Sequence, residues 1–106
     1  MDTITTTELR NLLTTGFDGL LIDVREPHEH ALASIPQARL IPLGTLPDQL
    51  ETLPRDREIL VHCKMGGRSA RAVQYLLDSG FTKVRNVEGG IEAWLAADEG
   101  GRADRR

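Results

Sequence analysis

Ile59-Leu60-Val61-His62-Cys63-Lys64-Met65-Gly66-Gly67-Arg68-Ser69-Ala70-Arg71-Ala72-Val73 is the stretch whose reading decides the fold. Its first four residues are an apolar run of strand type. From Ala70 onward, Ala72, Val73, Leu76 and Leu77 share one face at helical spacing. Between the two lies a turn with two glycines that begins at the single cysteine of the chain. A buried strand feeding a helix through a short turn is the repeating unit of a parallel sheet. Backbone N–H groups at a helix start are unpaired and carry the positive end of the dipole. A thiol held there is expected to have a lowered pKa and to react as the thiolate.

The flanking sequence repeats the alternation. Thr5-Thr6-Thr7-Glu8 predicts a capping box, opening a helix through Leu9, Leu12 and Leu13 that stops at Gly16. Leu20-Leu21-Ile22-Asp23-Val24 reads as a strand buried on both faces. Pro27 to Leu32 reads as a short helix with Pro at its start. Arg39 to Pro42 is the next strand, and Leu46 to Leu53 the next helix. The helix after Cys63 ends at Gly80, Lys83 to Val87 is a further strand, and Gly89-Gly90 leads into a last helix carrying Ile91, Ala93, Trp94 and Leu95. This order predicts an α/β domain: a central, mainly parallel sheet of about five strands with helices on both faces. Ligands of such sheets bind beyond the carboxyl ends of the strands, where Asp23, Cys63 and Glu88 lie.

The chain has 106 residues, of which 40% are hydrophobic and 27% charged. That is the size and composition of one globular domain. Residues 1–98 are expected to form it, and residues 99–106 a flexible tail with nothing to bury. A net charge of -3 leaves no basic face for nucleic acid. No apolar run approaches the roughly 20 residues that span a bilayer. Signal-peptide features are missing from the first residues, so a cytoplasmic location is expected. One cysteine excludes an internal disulfide, and any sulfur relay must involve another molecule.

The turn Cys63, Lys64, Met65, Gly66, Gly67, Arg68 offers successive N–H groups that can form an anion-binding nest. Arg68 adds a cation, and Ser69 is placed to cap the helix. The bland alternative is an inert buried thiol, disfavoured by the Gly, Gly and Arg beside it. A zinc site from Cys63, His62, His28 and His30 is disfavoured because His28 and His30, two apart on a helix, diverge. No metal and no cofactor is expected. Asp23 has two readings: it accepts hydrogen bonds that brace the loop, or it caps the following turn and pairs with Arg25. Asp23 and Arg25 are expected to support the loop, and Arg25 and Glu26 read as an architectural charge pair. Glu88 reads as a cap of the last helix, Trp94 as core, and His62 as a strand residue facing away from the mouth.

The loop from Cys63 to Arg68 resembles the active-site loop of the rhodanese homology family, sulfurtransferases that carry sulfur as a cysteine persulfide. Ile22-Asp23-Val24-Arg25-Glu26-Pro27-His28-Glu29 is similar to the family's first signature, Ile35 to Leu43 to the following segment, and Val87-Glu88-Gly89-Gly90-Ile91-Glu92-Ala93-Trp94 to the closing one. The resemblance implies Cys63 as nucleophile and residues 64–69 as the persulfide-binding loop. The expected donor is a small molecule such as thiosulfate, or a protein persulfide. Ala33-Ser34-Ile35 and Gln37 depart from the usual family pattern. There the chain is similar to rhodanese domains that work with adenylyltransferases of molybdopterin and thiamine biosynthesis, which implies an adenylyltransferase or sulfur-carrier partner. Two rivals stay open. A cysteine phosphatase or arsenate reductase has a similar His-Cys…Arg-Ser loop, but its spacer is one residue longer than Lys64 to Gly67. A binding module would dock a partner without turnover.

Overall fold

A computed structural model describes the backbone of residues 1–104 and the side chains of residues 1–97. The chain runs β1 (Thr3–Ile4), α1 (Thr6–Thr15), β2 (Leu20–Asp23), α2 (Pro27–Leu32), β3 (Arg39–Leu40), α3 (Leu46–Gln49), β4 (Ile59–His62), α4 (Gly67–Asp78), β5 (Val84–Val87) and α5 (Gly90–Asp104). Every strand pair is parallel, in the order β1-β5-β4-β2-β3. The expected α/β sheet is therefore present.

The fifth strand is β1, two residues that pair with Asn86 and Val87 and are too short to show a pattern. The helix expected over 46–53 is α3 flanked by 3-10 turns at Leu43–Thr45 and Leu50–Thr52. Helix α5 continues to Asp104, through most of the segment expected as a tail; residues 105–106 lie outside the described ones. Thr5 caps α1 as predicted: its hydroxyl accepts from Glu8 N–H at 3.1 Å, and the Glu8 carboxylate accepts from Thr5 N–H at 3.0 Å. Among the described residues, no helix is long and apolar enough to cross a membrane.

Strand alternation sorts the core into two layers. Ile22, Val24, Ile59, Val61 and Cys63 pack with Leu46, Ala72, Val73 and Leu76 of α3 and α4. Leu21 and Leu60 pack on the other face with Leu9, Ile91 and Trp94 of α1 and α5. All four residues of β4 are buried, as a central parallel strand requires. Cys63 follows its carboxyl end directly.

Candidate active site

Cys63 is 1% exposed, yet it lines an open cavity of about 530 Å³ together with Lys64, Met65, Gly67, Arg68 and Arg71. Its sulfur sits inside the turn. Gly66 N–H donates to Sγ at 3.1 Å, and the Ser69 hydroxyl lies 3.3 Å away. Gly66 adopts φ +124°, a backbone that side chains rarely tolerate, and this turns its N–H toward the sulfur. Burial pushes the Cys63 thiol up, but hydrogen bonds from Ser69, Gly66 and Met65 outweigh it and hold the thiol below its ordinary value. The lowered pKa expected from the loop is thus present, and its cause is hydrogen bonding to sulfur.

Ser69 does not cap α4. The N-cap is Gly66, with no side-chain capping bond. The Ser69 hydroxyl faces the sulfur and donates to Asn86 Oδ1 at 2.6 Å, with Gly66 O at 3.2 Å. A hydroxyl has one proton, so the Cys63 thiolate and Asn86 compete for it. Asn86 also donates to Gly66 O at 3.3 Å, which ties β5 to the turn. Sequence reading did not single out Asn86, because no local pattern places it beside residue 63.

The loop is held from behind by α5. Ile91 N–H donates to Cys63 O at 3.0 Å and Glu92 N–H to Lys64 O at 3.1 Å. Gly90, at φ +56°, permits this approach: a Cβ there would lie 2.5 Å from both carbonyl oxygens. His62 is fully buried and faces the opposite layer from Cys63, as alternation predicts. Its Nδ1–H donates to Cys63 O at 3.1 Å. Its Nε2 has no hydrogen-bond partner, and burial lowers its pKa, so the ring is neutral.

Asp23 points to the layer opposite Cys63, level with its register partner His62. It accepts from Arg25 backbone N–H at 3.0 Å, from Arg25 Nε at 3.0 Å and from Arg25 Nη2 at 2.8 Å; His30 Nδ1 lies 2.9 Å away. Burial raises its pKa, but the bonds from Arg25 and His30 lower it further. These contacts are the turn cap and the Arg25 pair. None of them reaches residues 63–69. Arg25 therefore pairs with Asp23, not with Glu26. Arg25 also donates to Ala33 O at 2.7 Å and Glu29 O at 3.4 Å, so the buried pair anchors α2. Glu88 accepts from Thr3 Oγ1 at 2.9 Å instead of capping α5. Trp94 is core, with Arg10 stacked on its ring.

The anchored helix presents Glu29 to the loop. Arg68 donates to it through both guanidinium ends, at 2.7 and 2.9 Å. The Arg68 bonds hold the Glu29 carboxyl at about 2, and Glu29 in turn raises the Arg68 pKa. The cation expected to face the sulfur is engaged by a carboxylate 39 residues earlier in the chain.

Fold and loop together define a class of α/β protein: a parallel sheet presenting a hydrogen-bonded, low-pKa cysteine on the turn after its central strand. Residues 5–97 match the rhodanese-like domain, and the chain belongs to that family. It is 40% identical over 77 residues to a sulfurtransferase of Allochromatium vinosum, covering 73% of this chain and 72% of that one. It is 37% identical over 98 residues to the adenylyltransferase and sulfurtransferase MOCS3-1 of Zea mays, covering 86% of this chain and 21% of that one. A rhodanese-like domain protein of Staphylococcus aureus superposes with a TM-score of 0.83 at 41% identity, covering 89% of this chain and 91% of that one.

Proposed function

We propose that the protein is a sulfurtransferase that carries sulfane sulfur as a persulfide on Cys63. One observation carries this reading. Sγ accepts from Gly66 N–H at 3.1 Å and lies 3.3 Å from the Ser69 hydroxyl, whose proton can turn to the anion, in the lining of an open cavity. The thiolate attacks the outer sulfur of a donor such as thiosulfate. A Cys63 S–S bond forms, the donor S–S bond breaks, and its electron pair leaves on sulfite. An acceptor nucleophile then takes the outer sulfur, and the electron pair of the broken S–S bond returns to Cys63 as thiolate. This is covalent double displacement, and an ionised cysteine needs no base for the first step.

The likeness to the maize protein supports an acceptor presented by a partner, such as a sulfur carrier served by an adenylyltransferase. The phosphatase rival is weakened by Arg68, whose two guanidinium ends are engaged by Glu29. The test is intact-mass measurement after incubation with a sulfane donor. Wild type gains one sulfur, and Cys63→Ser, with its fold retained, gains none. Sulfur retained by the Ser variant, or none on wild type with any donor, refutes the proposal.

A further inference from the structure

Three cations line the cavity over Cys63: Lys64, Arg68 and Arg71. They are not equivalent. Lys64 lies 3.8 Å from Glu92, and Arg68 is paired at both ends with Glu29. Arg71 is exposed, sits one helical turn after Gly67 on the same face of α4, and has no carboxylate partner among the described residues. Among the described residues, the mouth therefore has one uncompensated positive charge, although three basic residues surround it.

We infer that Glu29 is a specificity-determining residue which withdraws Arg68 from the mouth, leaving Arg71 to receive the charge of the donor, so that the site favours singly charged sulfane donors over dianions. This rests on the sulfur-transfer reading and deepens it. Thiosulfate and methanethiosulfonate form a matched pair of probes. Each offers one sulfane sulfur on a sulfonyl centre, and they differ by one negative charge. Attack by Cys63 forms the same persulfide from both. The breaking S–S bond leaves its electron pair on sulfite in one case and on methanesulfinate in the other.

Glu29→Gln is the sharp perturbation. The amide oxygen can still accept the Glu26 N–H that Glu29 now accepts at 3.0 Å. The negative charge is gone, and Arg68 is left cationic beside the mouth. One unit charge several ångströms from the reacting anion is worth about a factor of five in the relative preference for the dianion. The kcat/KM ratio of thiosulfate to methanethiosulfonate should rise by about that factor in Glu29→Gln, through KM. Arg71→Gln, a substitution at an exposed position, should lower the same ratio by a similar factor, again through KM. Both changes should shrink in about 0.5 M salt, where charges are screened within a few ångströms.

The experiment measures initial rates with both donors and cyanide as acceptor, for wild type and the two variants, at low and high salt. A ratio unmoved in Glu29→Gln overturns the role of Glu29, and one unmoved in Arg71→Gln overturns that of Arg71. If Glu29→Gln does not fold, Arg71→Gln alone decides, since an unchanged ratio there removes the one cavity-lining cation that has no carboxylate partner among the described residues. A wild type that takes sulfur from neither donor, with no persulfide mass, defeats the sulfur-transfer reading itself. An unchanged ratio on an active enzyme defeats only this inference.

Discussion

Gly90→Ala tests whether the second of the paired glycines matters to chemistry it never touches. A Cβ at residue 90 would lie 2.5 Å from Cys63 O, 2.5 Å from Lys64 O and 2.6 Å from Lys64 C. All three are backbone atoms, so no flexible side chain can yield. Carbon–oxygen contacts settle at about 3.3 Å or more, so the start of α5 must retreat by roughly 0.8 Å. The bonds from Ile91 N–H to Cys63 O and from Glu92 N–H to Lys64 O, now 3.0 and 3.1 Å, then stretch beyond hydrogen-bond range. Losing two such bonds costs about 1–3 kcal/mol, and left-handed backbone at Ala adds about 1–2 kcal/mol. The sum, about 2–5 kcal/mol, is a large share of a typical domain's 5–15 kcal/mol. A displacement approaching 1 Å at the nucleophile's own carbonyl should slow sulfur transfer by up to about 10²-fold. Urea unfolding and single-turnover persulfide formation measure the two effects. Gly16→Ala is the control, because it has φ +114° with nothing within 4 Å, and it should lose stability with the transfer rate kept. A Gly90→Ala protein with wild-type rate and stability would refute the claim that α5 positions the cysteine loop.

Ser69→Ala removes a donor from sulfur and should raise the Cys63 pKa toward the free-thiol value of about 8.5. Alkylation rate against pH reads it, and an unmoved midpoint would assign thiolate stabilisation to backbone N–H groups alone. Asp23→Asn leaves the Arg25 cation buried without its countercharge and should destabilise the fold by about 3–5 kcal/mol in urea unfolding. A loss below about 1 kcal/mol would show that the pair does not anchor α2. The Glu29 carboxyl is held at about 2, below its unfolded value of about 4.3. Its contribution to stability is therefore fully present above about pH 4.3 and is lost as pH falls toward 2. The Tm gap between wild type and Glu29→Gln should close over that range, and a gap that stays constant would mean the two guanidinium bonds add nothing to folding.

The strand-turn-helix around Cys63, the four longer elements of alternating type and the two-sided burial of β2 and β4 were legible in the sequence, because each depends on local periodicity and on glycine or proline punctuation. The capping box at Thr5 and Glu8 is likewise a contact within one turn. The nature of the site was legible for the same reason: Cys63, Gly66 and the start of α4 are neighbours along the chain. Tertiary structure decided the rest. Strand order brought Thr3–Ile4 beside β5 and Asn86 beside Ser69, 17 residues apart. It placed α5 behind the carbonyls of Cys63 and Lys64, and Glu29 on Arg68. These pairings lie 17 to 83 residues apart and are set by the register of parallel strands, which no short-range pattern encodes. Asp23 shows the limit most clearly. Its type and its place at a strand end were readable, but which of its two roles it takes followed from the packing of α2, which brings His30 to it beside Arg25. Its side chain points toward Arg25 and α2 and away from the sulfur.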